Sequence, residues 1–177
     1  VSERTIMKTV QVRNITIGEG RPKICVPIVG QTKEDILLEA GTFERIPVDV
    51  VEWRVDWFEE VNNYESVENA AKQLRDILEE TPILFTFRTA KEGGERAIEP
   101  DEYVELNEKI AKSGYVDLVD VEAFIGDTYV EKVVKTSHEC GVKVIASNHD
   151  FRKTPPKAEL ISRMRKMQEL GADIPKI

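Results

Sequence analysis

Six side chains in this 177-residue sequence could do chemistry together: Glu52, Arg54, Arg88, Glu92, His149 and Lys176. His149 is one of only two histidines and has Asp150 beside it, so it reads as a general acid and base, or else as a hydrogen-bonded structural imidazole. Lys176 follows Pro175 near the end of the sequence. Set among Arg54, Arg88 and His149, its amine would be discouraged from carrying a proton and so become nucleophilic; the alternative is an ordinary exposed lysine. Glu92 lies in Lys91-Glu-Gly-Gly-Glu95, a stretch too acidic to cradle phosphate despite its paired glycines. Its carboxylate either turns back to hold His149 or is simply solvated. His138 sits in the last turn of a helix ahead of Gly141, where a cation suits the helix dipole, and reads as a surface residue.

These residues fall at the late ends of strands. In VDVVEWRVDW, Val48 to Trp57, the charges Glu52, Arg54 and Asp56 alternate with Trp53, Val55 and Trp57. A strand's period of two therefore puts the charges on one face and the bulky groups on the other. The next strand, Pro82 to Thr89, ends in Arg88; Val116 to Phe124 carries Asp120 and Glu122; Val142 to Asp150 carries Ser147 and His149; and Lys176 closes the last run. One such group could be a solvated terminus or a structural ion pair. Several in register imply a polar cluster at one mouth of a barrel. Trp53, Trp57, Phe58, Phe85 and Phe87 read as core beneath the helices.

The elements that would position these groups alternate along the chain. An alternating stretch, Thr9 to Ile17, predicts a lead-in hairpin, and KICVPIV, Lys23 to Val29, a first buried strand. Helices are predicted over 33–45, 66–80, 101–113, 127–140 and 156–170, the third with Pro100 just ahead of it and the last three stopped by Gly114, Gly141 and Gly171. Five strand–helix units thus precede a sixth strand at Asp173 to Ile177. Such alternation requires a parallel sheet, doubly wound or closed as a barrel, and periodicity alone does not choose. No GxGxxG or GxxxxGK[ST] follows a strand, which favours the barrel. A complete (β/α)8 barrel needs roughly 250 residues and eight strands, so the sequence reads as an incomplete TIM barrel. Residues 1–7 read as a ragged N-terminus and 8–177 as one barrel domain.

Composition narrows the function classes. A net charge of −8 argues against nucleic acid as a partner. The two cysteines, Cys25 and Cys140, lack zinc or disulfide spacing, which fits a reduced, cytoplasmic setting. No apolar run approaches the roughly 20 residues that span a bilayer, and the start resembles no secretory signal, so a membrane partner is not expected.

The segments KICVPIVG, VVEWRVDWFE, PILFTFRTAKEGGE, LVDVEAF, VIASNHDF with KTP after it, and RMRKMQELGADIPKI together resemble the type I 3-dehydroquinate dehydratases, from about Met7 to Ile177. The resemblance implies a lyase of the shikimate pathway, working on 3-dehydroquinate without metal or organic cofactor, and a homodimer when full length. It implies that Lys176 forms an imine with the C3 ketone, that His149 takes the C2 proton and returns one to the departing C1 hydroxyl in a syn elimination, and that Glu92 supports the imidazole. Glu52, Arg54 and Arg88 match substrate-binding positions. The family often has serine where this sequence has Pro27, and no role is assigned there. The family also continues through strands six to eight, with an arginine for the substrate carboxylate and a serine and glutamine on a closing loop. The resemblance therefore implies a C-terminally truncated chain, inactive by itself, with open sheet edges and with Ile24, Val26, Val144 and Ala146 uncovered. Two other readings compete: a Schiff-base barrel enzyme of the class I aldolase type, against which EWRVD and SNHDF speak, and a non-catalytic fragment.

Overall fold

The computed structural model describes residues 8–177; the expected ragged end at 1–7 lies outside the described residues. A short antiparallel hairpin, β1 (Val10–Val12) and β2 (Ile15–Ile17), leads into β3 (Cys25–Ile28), α1 (Lys33–Thr42), β4 (Val50–Arg54), α2 (Tyr64–Leu78) and β5 (Ile83–Thr86). Then come α3 (Pro100–Ser113), β6 (Leu118–Glu122), α4 (Asp127–Glu139), β7 (Lys143–Ser147), α5 (Lys157–Glu169) and β8 (Ile174–Lys176). From β3 to β8 the six strands pair in parallel and in strict chain order. A doubly wound sheet would reverse its order at a switch point, so this order identifies part of a (β/α)8 barrel. Strands β3 and β8 are the edges, each with a single neighbour among the described residues.

Strand alternation separates two faces. Outward-facing Val51, Trp53, Ile83, Phe85, Val119, Val121, Val144 and Ala146 form the main core with the helices. Here Trp53 meets Phe85 edge to face at 5.6 Å, a geometry that adds about 0.5–1.5 kcal/mol beyond burial. Inward-facing Val50, Leu84, Leu118 and Ile145 make a small apolar floor, closed from below by Val12 of the hairpin. Arg13, at the hairpin turn, is tied to Asp117 at 2.5 Å, and Asp117 also accepts the Ile83 N–H at 2.8 Å. Polar inner side chains begin directly above this floor.

Several element bounds differ from expectation for local reasons. Helix α2 starts at Tyr64 because the Asn63 side chain caps the free N–H groups of Glu65 and Ser66. Strand β4 ends at Arg54, where Val55–Trp57 turns into a 3-10 helix that buries Asp56 and leaves Trp57 only half-buried. Val144 and Ala146, expected to be uncovered, are fully buried, because Met167 of α5 and Leu170 just after it belong to the same core. Ile24 does stand exposed, at 45%, beside the β3 edge.

Candidate active site

Each strand delivers its polar inner residues at the end away from the hairpin. Glu52, Thr86, Asp120, Ser147 and Lys176 make a stepped layer on the inner face: Thr86 is level with Asp120 and Ser147 with Lys176, while Glu52 and Asp120 lie two residues before the register partners of Thr86 and Ser147. The steps are joined by Thr86 Oγ1 donating to Glu52 at 2.8 Å and by the Ser147 hydroxyl donating to Asp120. Arg88, Glu122 and His149 stand two residues further along their chains, at the mouth. Arg88 is buried and crosses between the layers: it donates to Asp120 Oδ1 at 2.9 Å, to the Ser147 hydroxyl at 3.0 Å and to Glu122 Oε1 at 3.1 Å. Burial works against its charge, but Asp120, Tyr103 and Glu122 outweigh it and raise the guanidinium's pKa. Arg88 is thus a fixed positive charge. Burying ionic groups is costly, and a packed apolar cluster is often at least as stable, which points to a use other than stability.

Glu92 does turn back toward the mouth. It sits in a 3-10 turn, Ala90–Glu92, ended by Gly93 in the left-handed region at φ +85°. Its Oε2 lies 2.9 Å from His149 Nδ1 and accepts the His149 backbone N–H at 3.1 Å, while Oε1 accepts Asn148 Nδ2 at 3.0 Å. A carboxylate only accepts, so Nδ1 carries the ring proton and Nε2 keeps its lone pair for a substrate proton. Phe151, 76% exposed, stacks nearly parallel on His149 with ring centroids 6.2 Å apart. The other histidine, His138, is half exposed on α4 and meets Asp173 at 2.8 Å, away from this cluster.

Lys176 stands differently from expectation. Its ammonium faces carboxylates rather than cations: Nζ is 2.8 Å from Asp120 Oδ2 and 4.0 Å from Glu52 Oε1. The arginines are drawn elsewhere, since Arg88 is engaged by Asp120 and Glu122 and Arg54 is held bidentately by Asp56 at 2.8 Å through both oxygens. Among the described contacts Arg54 bonds to none of the other five predicted residues; its partner Asp56 also accepts the backbone N–H groups of Arg88 and Glu95 at 3.2 Å. Asp56 therefore fixes the ends of β4 and β5 together. Asp120, Asp56 and Asn148 are site-building residues to which sequence reasoning gave no role. The first two lay in the charge pattern of their strands, but their partners lie on other strands.

Gly94 shows how tightly the Glu92 turn is set. A Cβ there would lie 1.8 Å from the Arg88 carbonyl oxygen, a backbone atom that cannot rotate away. At Gly114, φ +79°, a Cβ would meet nothing within 4 Å. Gly94→Ala is expected to cost about 2–3 kcal/mol, seen as a melting temperature lower by roughly 5–10 °C, whereas Gly114→Ala costs about 1 kcal/mol from backbone strain alone. Equal losses would show that the close approach at Gly94 does not matter.

A family model described as type I 3-dehydroquinase matches residues 24–177, which span every strand and helix of the partial barrel. The chain belongs to the type I 3-dehydroquinase family. A 3-dehydroquinate dehydratase of Clostridioides difficile strain 630 is 54% identical over 170 residues, covering 96% of this chain and 67% of the relative. One of Listeria monocytogenes serotype 4b (strain F2365) is 55% identical over 171 residues, covering 97% and 68%. The chain thus spans about two-thirds of the length of these type I relatives. Among solved structures, the type I 3-dehydroquinate dehydratase from Clostridium difficile, with covalently modified comenic acid, superposes with a TM-score of 0.95 at 54% identity, covering 97% of this chain and 68% of that one. The Geobacillus kaustophilus enzyme gives 0.92 at 40%, covering 95% and 65%. A 3-hexulose-6-phosphate synthase, at 17% identity and a TM-score of 0.60, shares the fold alone. No helix among the described residues is long and apolar enough to cross a membrane.

Proposed function

We propose that this protein dehydrates 3-dehydroquinate to 3-dehydroshikimate, a step of the shikimate pathway, through an imine on Lys176. The observation that carries this reading is the pairing, within the matched family, of an inner-face lysine on β8 with a histidine just past β7 whose Nδ1 is held by Glu92. Lys176 Nζ adds to the C3 ketone and water leaves, giving a protonated imine that withdraws electrons from C2. His149 Nε2 takes the C2 proton. The electron pair then expels the C1 hydroxyl, which departs as water with the proton returned by His149, so one imidazole serves as base and then acid on one face of the ring. Hydrolysis of the imine frees the product and Lys176. Glu52, Arg54 and Arg88 bind ring hydroxyls or shape the field at the imine. The covalently modified comenic acid in the Clostridium difficile relative's structure supports covalent chemistry in this family. Homodimerisation and a cytoplasmic setting are part of the same reading and rest on the family resemblance.

The test is turnover of 3-dehydroquinate by the full gene product, followed by absorbance of the conjugated product, with borohydride added during turnover. Inactivation with a mass adduct on the peptide containing Lys176 is expected; no turnover, or an adduct elsewhere, would sink the proposal. A polypeptide limited to residues 1–177 is expected to show no turnover in the same assay, because among the described residues the barrel sheet has six strands, with β3 and β8 each paired on one side, and an eight-stranded mouth is not closed by them.

A further inference from the structure

Asp120 has no part in the mechanism above, yet it is the group in contact with the reacting nitrogen. It is fully buried in the middle of the inner face of β6. Its Oδ1 is taken by Arg88 and by the Ser147 hydroxyl. Its Oδ2 receives no hydrogen bond of good geometry from any described residue, and lies 2.8 Å from Lys176 Nζ. One oxygen is thus locked and the other is left facing the amine.

We infer that Asp120 is the fixed counter-ion of the Lys176 nitrogen through the whole cycle, and that it keeps the imine protonated while the C2 proton is removed. The inference rests on the Lys176 imine proposed above. Its logic is the balance of that step. Lys–NH3+ and a ketone give C=NH+–Lys and water: the C–N bond forms, the C–O bond breaks, and both protons leaving nitrogen end on the departing oxygen. Nitrogen carries one positive charge before and after, so a stationary anion at contact distance suits both states without rearrangement. An iminium that lost its proton would be a poor electron sink, and an adjacent carboxylate opposes that loss. Burial alone would push the Asp120 carboxyl up, but the charges of Arg88 and Lys176, with the Ser147 hydroxyl on Oδ1, bring it below the usual carboxylate range, so it stays an anion.

The test is the pH profile of turnover in the full gene product carrying Asp120→Asn, which keeps shape and removes charge. The charged or titratable groups around Asp120 and Nζ are Glu52 on β4, Arg88 after β5, Glu122 on β6, Tyr103 on α3 and the Cys25 thiol on β3, all left in place by this substitution. The alkaline limb of kcat is expected to move down by roughly one to three pH units, with kcat at the wild-type optimum reduced at least about ten-fold. A merely structural loss would lower kcat at every pH and leave the limb where it was, and that result would overturn the inference. If Asp120→Asn does not fold, Ser147→Ala decides: without the hydroxyl on Oδ1 the carboxylate holds the iminium proton harder, so the limb moves up, and an unmoved limb overturns the inference. Borohydride adducts on the wild type separate the two readings. An adduct at Lys176 with an unmoved limb rejects Asp120's role alone, whereas no adduct at Lys176 rejects the imine and this inference with it.

Discussion

Lys176→Ala is expected to lower turnover of 3-dehydroquinate by at least about 10^4-fold, because without an amine on β8 no other group can make the electron sink. The informative companion is Lys176→Arg. It keeps a cation beside Asp120, 2.8 Å from the present Nζ, and so preserves the electrostatics of the layer, but a guanidinium does not give up its proton to attack a ketone. Both variants should be equally inactive and yield no borohydride adduct. Lys176 is about one-third exposed and Arg88 still neutralises Asp120, so the folded state should lose little stability in either. Substantial turnover in Lys176→Arg would mean that the charge and not the nucleophile matters, and the imine mechanism would fall.

His149→Ala should reduce turnover at least about 100-fold, the usual range for losing a positioned acid and base, yet leave imine formation intact. Attack needs only a neutral amine, so the variant given the dehydrated product and borohydride should still acquire the adduct at Lys176. The two steps are thereby separated on different residues. Glu92 holds Nδ1 at 2.9 Å and the His149 backbone at 3.1 Å, so His149→Ala also leaves the Glu92 carboxylate bonded to Asn148 and the main chain, and the turn should stay in place. Near-normal turnover in His149→Ala would remove the imidazole from the mechanism, and loss of the adduct together with turnover would place His149 in imine formation as well.

The sequence by itself determined which residues share a face and how the elements alternate, because both follow from local geometry. A strand's period of two forces Glu52 away from Trp53, and the apolar stripe of Val67, Ala70, Ala71 and Leu74 forces α2 onto the sheet, whatever the rest of the chain does. The same alternation placed Asp120 with Glu122, and Ser147 with His149, at one mouth. Sequence could not decide between a doubly wound sheet and a barrel, since both use the same local units; only the order β3 to β8 distinguished them. Nor could it say which charge faces which. Arg54 and Arg88 were expected around Lys176, but buried charges take the partner that best compensates their lost hydration, and for Arg54 that is Asp56 two residues on, for Arg88 Asp120 and Glu122. Lys176 was thereby left to Asp120 and Glu52, a pairing set by the register of β6, β7 and β8 and by the side-chain layers across them, a tertiary relation that no spacing along the chain encodes.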